Sequence, residues 1–210
     1  MLAVMGLEFE VQPLEVAEHP IAGEAPSQMA QRLSELKALG VPNHRHRIII
    51  AADTLVVVDD QVLGKPDSAQ QALDMLNRLR AREHTVFTGI TVINTSDGVW
   101  CRQVAVTPVL MRDYSDRDML EYVATGDPMD KAGAYAIQNT LFNPVAKIMG
   151  CYTNVIGLPV CHLYRALLQM GIEAPRHPLS CCYWAVQSGC PWAQPILGAR
   201  TEVTTIRDHA

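Results

Sequence analysis

Asp53 stands where the apolar run Ile48 to Ala52 gives way to polar residues, and in helix-covered sheets ligands gather beyond the carboxyl ends of strands. A carboxylate in that position can take a proton from water, hold a metal ion or cap a turn, and its place in the chain leaves those roles open. Gly64-Lys65-Pro66 puts a lysine into a turn after a short hairpin; Gly64 permits close backbone approach and Pro66 cannot donate a hydrogen bond. The turn is not a Walker A loop, because the spaced upstream glycine and the following Ser or Thr are missing. A solvated turn lysine is its plain reading. Asp130-Lys131-Ala132-Gly133 and Tyr135-Ala136-Ile137-Gln138 combine a charge pair, small residues and one amide. Gln138 carries the paired donor and acceptor that can read a base edge, although a loop glutamine usually contacts backbone or water. Spacing alone does not choose among these chemistries.

The elements that must position these residues follow from periodicity and capping. A helix is expected after Pro26, with Ser27 as cap and Met29, Leu33 and Leu36 at helical spacing, ended by Gly40 and Pro42. Lys37 lies beside that stripe. Ile48 to Ala52 reads as a buried strand that ends at Asp53-Thr54, before a second run Leu55 to Val58 and a tight turn at Asp59-Asp60. A Ser68/Gln71 capping box opens a helix with Ala69, Ala72, Leu73, Leu76 and Leu79 on one face, ending near Ala81. Val86 to Asn94 and Val99 to Met111 read as two strands joined at Ser96-Asp97-Gly98. Ser115 with Asp118 opens a third helix, packing Met119, Leu120 and Val123 inward before Gly126. Asp127 to Gly157 is turn-rich between short strands, and a last helix spans about Val160 to Met170. This places one domain over 1–175. Residues 176–210 lack periodicity and read as a loosely ordered extension.

With 210 residues, 49 % of them hydrophobic, the chain can bury the core of one large domain. Aromatics are only 6 %, and an apolar content of Val, Leu, Ile, Ala and Met suits an α/β fold of sheet covered by helices. A net charge of −5 argues against a partner of long nucleic acid, which needs clustered cations, but leaves room for a small anion. No apolar run approaches the roughly 20 residues of a membrane helix, and no signal peptide pattern is present, so the expectation is a cytoplasmic protein without a membrane partner. The six cysteines are expected to stay reduced. Cys181, Cys182 and Cys190 with His177 have no CxxC spacing and read as thiols rather than a metal cluster.

Taken in order, Ala52-Asp53-Thr54, Leu63-Gly64-Lys65-Pro66, His84 to Gly89, Asp130 to Gln138 and Asn154 to Pro159 resemble the motif set of the Maf family, over about residues 5–172. Each piece is weak and the ordered set is strong. The resemblance implies an elongated mixed sheet flanked by helices with a central cleft, and hydrolysis of nucleoside triphosphates between the α and β phosphates with a divalent cation, usually Mg²⁺. Breaking a phosphoanhydride needs an oriented water and neutralised phosphate oxygens, so a carboxylate, a metal ion and lysines suit the task. By resemblance Asp53 accepts the proton of water or holds the metal, Glu18 helps to hold it, and Lys37 and Lys65 bind phosphates, with Lys131 also on the substrate. Ala17 stands where an Asp is common in the family. Thr54 and Gln138 resemble the branch acting on dTTP and UTP, rather than the one acting on modified purines such as 7-methyl-GTP. Asn139 replaces the usual glycine. The resemblance also implies a homodimer.

The family opens with a strand and a Ser-x-Ser-Pro-Arg-Arg turn, whereas Met1 to Val11 resembles the end of the helix after that turn and the next strand. Arginine supplies forked phosphate contacts that lysine does not replace, and losing such a contact lowers a rate by about 10²–10³. The expectations from this departure are an unpaired strand edge, a chain less stable than full-length relatives, and weakened catalysis, with a catalytically impaired nucleotide-binding or regulatory protein as the alternative reading.

Overall fold

The computed structural model describes residues 1–42, 46–199 and 203–205. In chain order these form α1 (Pro26–Leu39), β1 (Ile48–Val58), β2 (Gln61–Leu63), α2 (Ala69–Leu79), β3 (Glu83–Asn94), β4 (Val99–Met111), α3 (Asp116–Ala124), β5 (Val145–Ile148), α4 (Tyr152–Val155), α5 (Val160–Gln169), α6 (Pro178–Cys181), α7 (Tyr183–Ser188), α8 (Ala193–Gly198) and β6 (Val203–Thr205). The sheet runs β2-β1-β3-β4-β5, with β6 also on β4. The α/β class and the helix-flanked sheet are as expected. Every pairing among the described strands is antiparallel, where a mixed sheet was expected. None of the described helices is long and apolar enough to cross a membrane.

Strand alternation sorts the core. Ala51, Asp53, Leu55 and Val57 share one face of β1, and α1 covers it with Met29, Ala30 and Leu33. Val56 and Val58 point the other way into a core with Val86, Val109, Leu76, Leu79, Tyr114 and Tyr122. Further along that face, Ile90, Val92 and Cys101 pack against Val160, Leu163 and Leu167 of α5.

Several local expectations change. β1 is one continuous strand through Asp53 and Thr54, paired with Gly89 and Thr88 of β3; ladder hydrogen bonds do not depend on side-chain polarity, so the polar pair interrupts the apolar run without ending the strand. Pro26 opens α1 and Ala25 is its N-cap, with Gln28 accepting from the Ala25 N–H at 3.1 Å, so Ser27 does not cap. Ser68 does accept from the Gln71 N–H at 3.2 Å, but the Gln71 side chain reaches Asp67 instead of closing a box. Ser115 and Asp118 form theirs at 3.1 and 2.9 Å. Leu120 is exposed while Met119, Tyr122 and Val123 face inward. Leu2–Met5 is a 3₁₀ turn that buries Met5, and the strand expected near Val11 does not form. Over Ile48 to Leu55 no described strand pairs with the outer side of β1. Beyond Pro175 the chain forms the short helices α6, α7 and α8; Arg165 of α5 donates to the Ile196 carbonyl of α8, and Val203 to Thr205 pair with Cys101 to Val99, while 200–202 and 206–210 lie outside the described residues.

Two features of this packing have measurable consequences. A Cβ on Gly89 would lie 2.1 Å from the Ala30 carbonyl oxygen and 2.4 Å from its carbon, so α1 sits on β3 through backbone contact. Gly89→Ala is expected to lower unfolding free energy by about 3 kcal/mol, because a helix backbone cannot yield as a side chain can. A urea midpoint shift worth less than about 1 kcal/mol would contradict this account of the packing. His84 and His162 are each driven down to about 4 by burial, with nearby Arg165 adding to the effect at His162. A depressed histidine contributes stability that is full above its unfolded value of 6.5 and is lost as pH falls toward 4, because only the unfolded chain takes up the proton. The loss is roughly 3 kcal/mol for each ring. Thermal midpoints should fall steeply between pH 6.5 and 4, and His84→Gln should shallow that slope; an unchanged slope would remove His84 from this role.

Candidate active site

The sheet and α1 bring every sequence-predicted residue to one cleft. Glu18, Lys37, Asp53, Thr54, Lys65, Lys131 and Gln138 all line a space of about 480 Å³, within the size range of small-molecule sites. Neighbouring residues of a strand point to opposite faces, so Asp53 and Thr54 cannot look into one ordinary pocket. They share this one because no described strand pairs with the outer edge of β1 beside them, and the cleft wraps around that edge.

On the α1 side, Lys37 lies one turn beyond Leu33, which is buried against the sheet. Its ammonium touches the Asp53 carboxylate and stands 3.1 Å from Glu18 Oε1. Asp53 is only 7 % exposed while Glu18 is 61 % exposed. Burial pushes the Asp53 carboxyl above the usual carboxylate range; Lys37 pulls against this, Glu18 adds to it and Lys65 opposes it weakly. Burial works to lower Lys37, but Asp53 and Glu18 together outweigh it and leave the ammonium raised. A carboxylate raised in this way is a stronger base toward water than an exposed one.

On the opposite face, Thr54 stands by the turn Val155 to Gly157, and Tyr135 and Ala136 form the wall leading to exposed Gln138. That wall is pinned at several points. The Gly133 N–H donates to the Gly64 carbonyl at 3.0 Å, tying the lysine turn to the 131–134 segment. The Ala136 N–H donates to Tyr122 Oη at 3.0 Å, and Tyr135 Oη lies 2.8 Å from His84 Nε2. Lys65 is exposed on its turn. Lys131 is held differently: its ammonium donates to the Asp127 carbonyl and to Asp130 Oδ1, both at 2.6 Å, and lies 3.1 Å from Asp127 Oδ1. Among the described residues, Lys65 is thus the lysine of the cleft with no carboxylate partner.

The described residues include no group of three or more His, Cys, Asp and Glu side chains placed to hold a metal, and all six thiols are unpaired. Glu18 and Asp53 nevertheless converge on one cation, the Lys37 ammonium. Magnesium is often held by one or two carboxylates with substrate phosphates and water completing the shell, so this donor set fits a metal that arrives with a phosphorylated ligand. Sequence reasoning assigned no role to Thr88 and Asn154, which lie buried directly behind Thr54. The available signal was a threonine between Val86 and Ile90 on the inward face of β3.

Residues 1–170 match the family described as Maf-like protein. A Dehalococcoides mccartyi (strain BAV1) protein named dTTP/UTP pyrophosphatase is 38 % identical over 208 residues, covering 99 % of this chain and 90 % of the relative. A protein of the same name from D. mccartyi strain 195 is 44 % identical over 178 residues, 84 % of this chain and 80 % of the relative. Another, from Geobacter metallireducens (strain GS-15), is 43 % identical over 173 residues, 81 % of this chain and 90 % of the relative.

Proposed function

Because this chain belongs to the Maf family, we propose that it hydrolyses dTTP and UTP to the nucleoside monophosphate and pyrophosphate. The observation that carries the reading is the split cleft. A buried, strengthened carboxylate with its lysine lies on one face of β1, and an amide, a hydroxyl and an aromatic wall lie on the other. A triphosphate laid across the open edge reaches the first with its phosphates and the second with its base.

In this reading Asp53 removes the proton from a water aimed at the α phosphorus. The new P–O bond forms as the bond to the α–β bridging oxygen breaks, and pyrophosphate leaves. Lys37 and Lys65 neutralise the phosphate oxygens, Lys131 supports the substrate from the wall, and Thr54 and Gln138 meet the base. Glu18 and Asp53 would hold a divalent cation, most simply Mg²⁺, which when bound supplies charge neutralisation at the phosphates. The homodimer implied by the family, and a cytoplasmic location, belong to the same proposal.

The test is pyrophosphate release from a panel of nucleoside triphosphates, with Mg²⁺ and with EDTA. Turnover of dTTP and UTP that stops on chelation is expected. Release of orthophosphate in place of pyrophosphate would overturn the cleavage position, and equal rates on all bases would overturn the assignment of Thr54 and Gln138.

A further inference from the structure

Behind Thr54 a chain of buried polar groups crosses the sheet. Thr54 Oγ1 lies 2.8 Å from Thr88 Oγ1, and the Thr88 hydroxyl, fully buried, donates to the Asn154 carbonyl at 3.3 Å. That carbonyl also accepts the Gly157 N–H at 2.9 Å. It is fixed in place by its own side chain, because Asn154 Nδ2 donates to the Val86 carbonyl at 3.1 Å and to Thr107 Oγ1 at 2.9 Å. Thr107 in turn is locked to Cys151, accepting its N–H at 3.1 Å.

The chain has a direction. A hydroxyl owns one proton, and a carbonyl can only accept, so Thr88 spends its proton on Asn154. What remains to Thr88 is acceptor capacity, and Thr54 must fill it by donating. The Thr54 hydroxyl then has only lone pairs left for the cleft. It is open to the cleft because the neighbouring residue is Gly157: a Cβ there would find Thr54 Oγ1 at 3.4 Å and no other atom within 4 Å.

We propose that Thr88 is a positioning residue for base specificity, which through its bond to Asn154 presents Thr54 as an acceptor only, so that the cleft favours bases offering an imide N–H. Uracil and thymine carry that donor at N3, where cytosine carries an acceptor. The proposal rests on the reading of the cleft as a pyrimidine nucleotide site and adds what sets its choice of base.

The test is calorimetric binding, with Mg²⁺, of the non-hydrolysable α,β-methylene analogue of UTP and of its N3-methyl derivative, which lacks the donor. Thr88→Val keeps the shape of the side chain and removes the proton, freeing Thr54 to turn its own proton into the cleft. It should weaken binding of the UTP analogue about tenfold, the worth of one buried hydrogen bond, while hardly changing the N3-methyl derivative. Thr88→Ser should restore the wild-type pattern. Thermal melts check that both variants fold. Equal weakening of both ligands by Thr88→Val, or no weakening of either, overturns the proposal, as does wild-type protein that binds the two ligands alike. Because no turnover is read, pyrophosphate release from the wild type reports separately on the catalytic reading: selective binding without hydrolysis would sink that reading and leave the base selection standing.

Discussion

Asp53→Asn is expected to lower kcat for dTTP and UTP by about 10³-fold while the protein stays folded, from the worth of a positioned general base. The amide keeps the size and hydrogen-bonding reach of the carboxylate but can neither take a proton from water nor offer a negative ligand to a cation. The fold should tolerate the change because burial already acts against the Asp53 charge, and a neutral amide is less costly to desolvate than an anion. Lys37 keeps Glu18 as a partner, 3.1 Å away. The informative measurement pairs initial rates of pyrophosphate release with a thermal melt. A variant that melts like the wild type and turns over at more than about a tenth of its rate would remove Asp53 from catalysis.

Lys37→Met should be nearly as damaging, by about 10²–10³ in kcat/KM, in line with the loss of one group that stabilises developing charge. The reason differs. Methionine covers the same apolar path along α1 but leaves Asp53, 7 % exposed, without its contacting cation. Asp53 is then held by burial and by Glu18 in the direction of protonation, with only the weaker pull of Lys65 against them. One substitution thus removes a phosphate contact and leaves less of Asp53 ionised to accept a proton. Lys37→Arg tests the split: it keeps a cation near Asp53 and should recover part of the rate, although a planar fork does not match a compact ammonium. Rates for Lys37→Met within threefold of wild type would show that the Asp53 contact serves folding alone.

Much of this molecule could be read before its structure. α2 and α3 carry apolar spacing and start signals strong enough to locate them closely, because helix capping and amphipathicity are local properties, and α5 fell within a residue of its expected span without a capping side chain. The hairpin of β3 and β4 was equally plain from β-branched runs around Ser96-Asp97-Gly98. β1 was misread as two pieces at Asp53-Thr54, because the polar pair breaks the apolar run while its pairing with Gly89 and Thr88 lies 34 or more residues away. The 3₁₀ turns Asp127–Asp130 and Ala132–Ala134 and the short helices after Pro175 were also hidden, since contacts with distant elements hold them rather than any period of their own.

The same division holds for the site. By itself the sequence determined the kinds of residue available, two carboxylates, three lysines, a threonine and an amide in a family-like order, and hence the chemistry within reach. Only the tertiary structure decided that Asp53 and Thr54, adjacent in the chain, serve opposite faces of one strand whose open edge joins them in a single cleft. It also decided which lysines are already spent on carboxylates, and that the Thr54 hydroxyl lies against that of buried Thr88. These depend on burial and on pairing across strands and turns, which link groups 34 and 66 positions apart (Thr54 to Thr88, and Thr88 to Asn154), and no local pattern encodes the direction of a hydrogen bond.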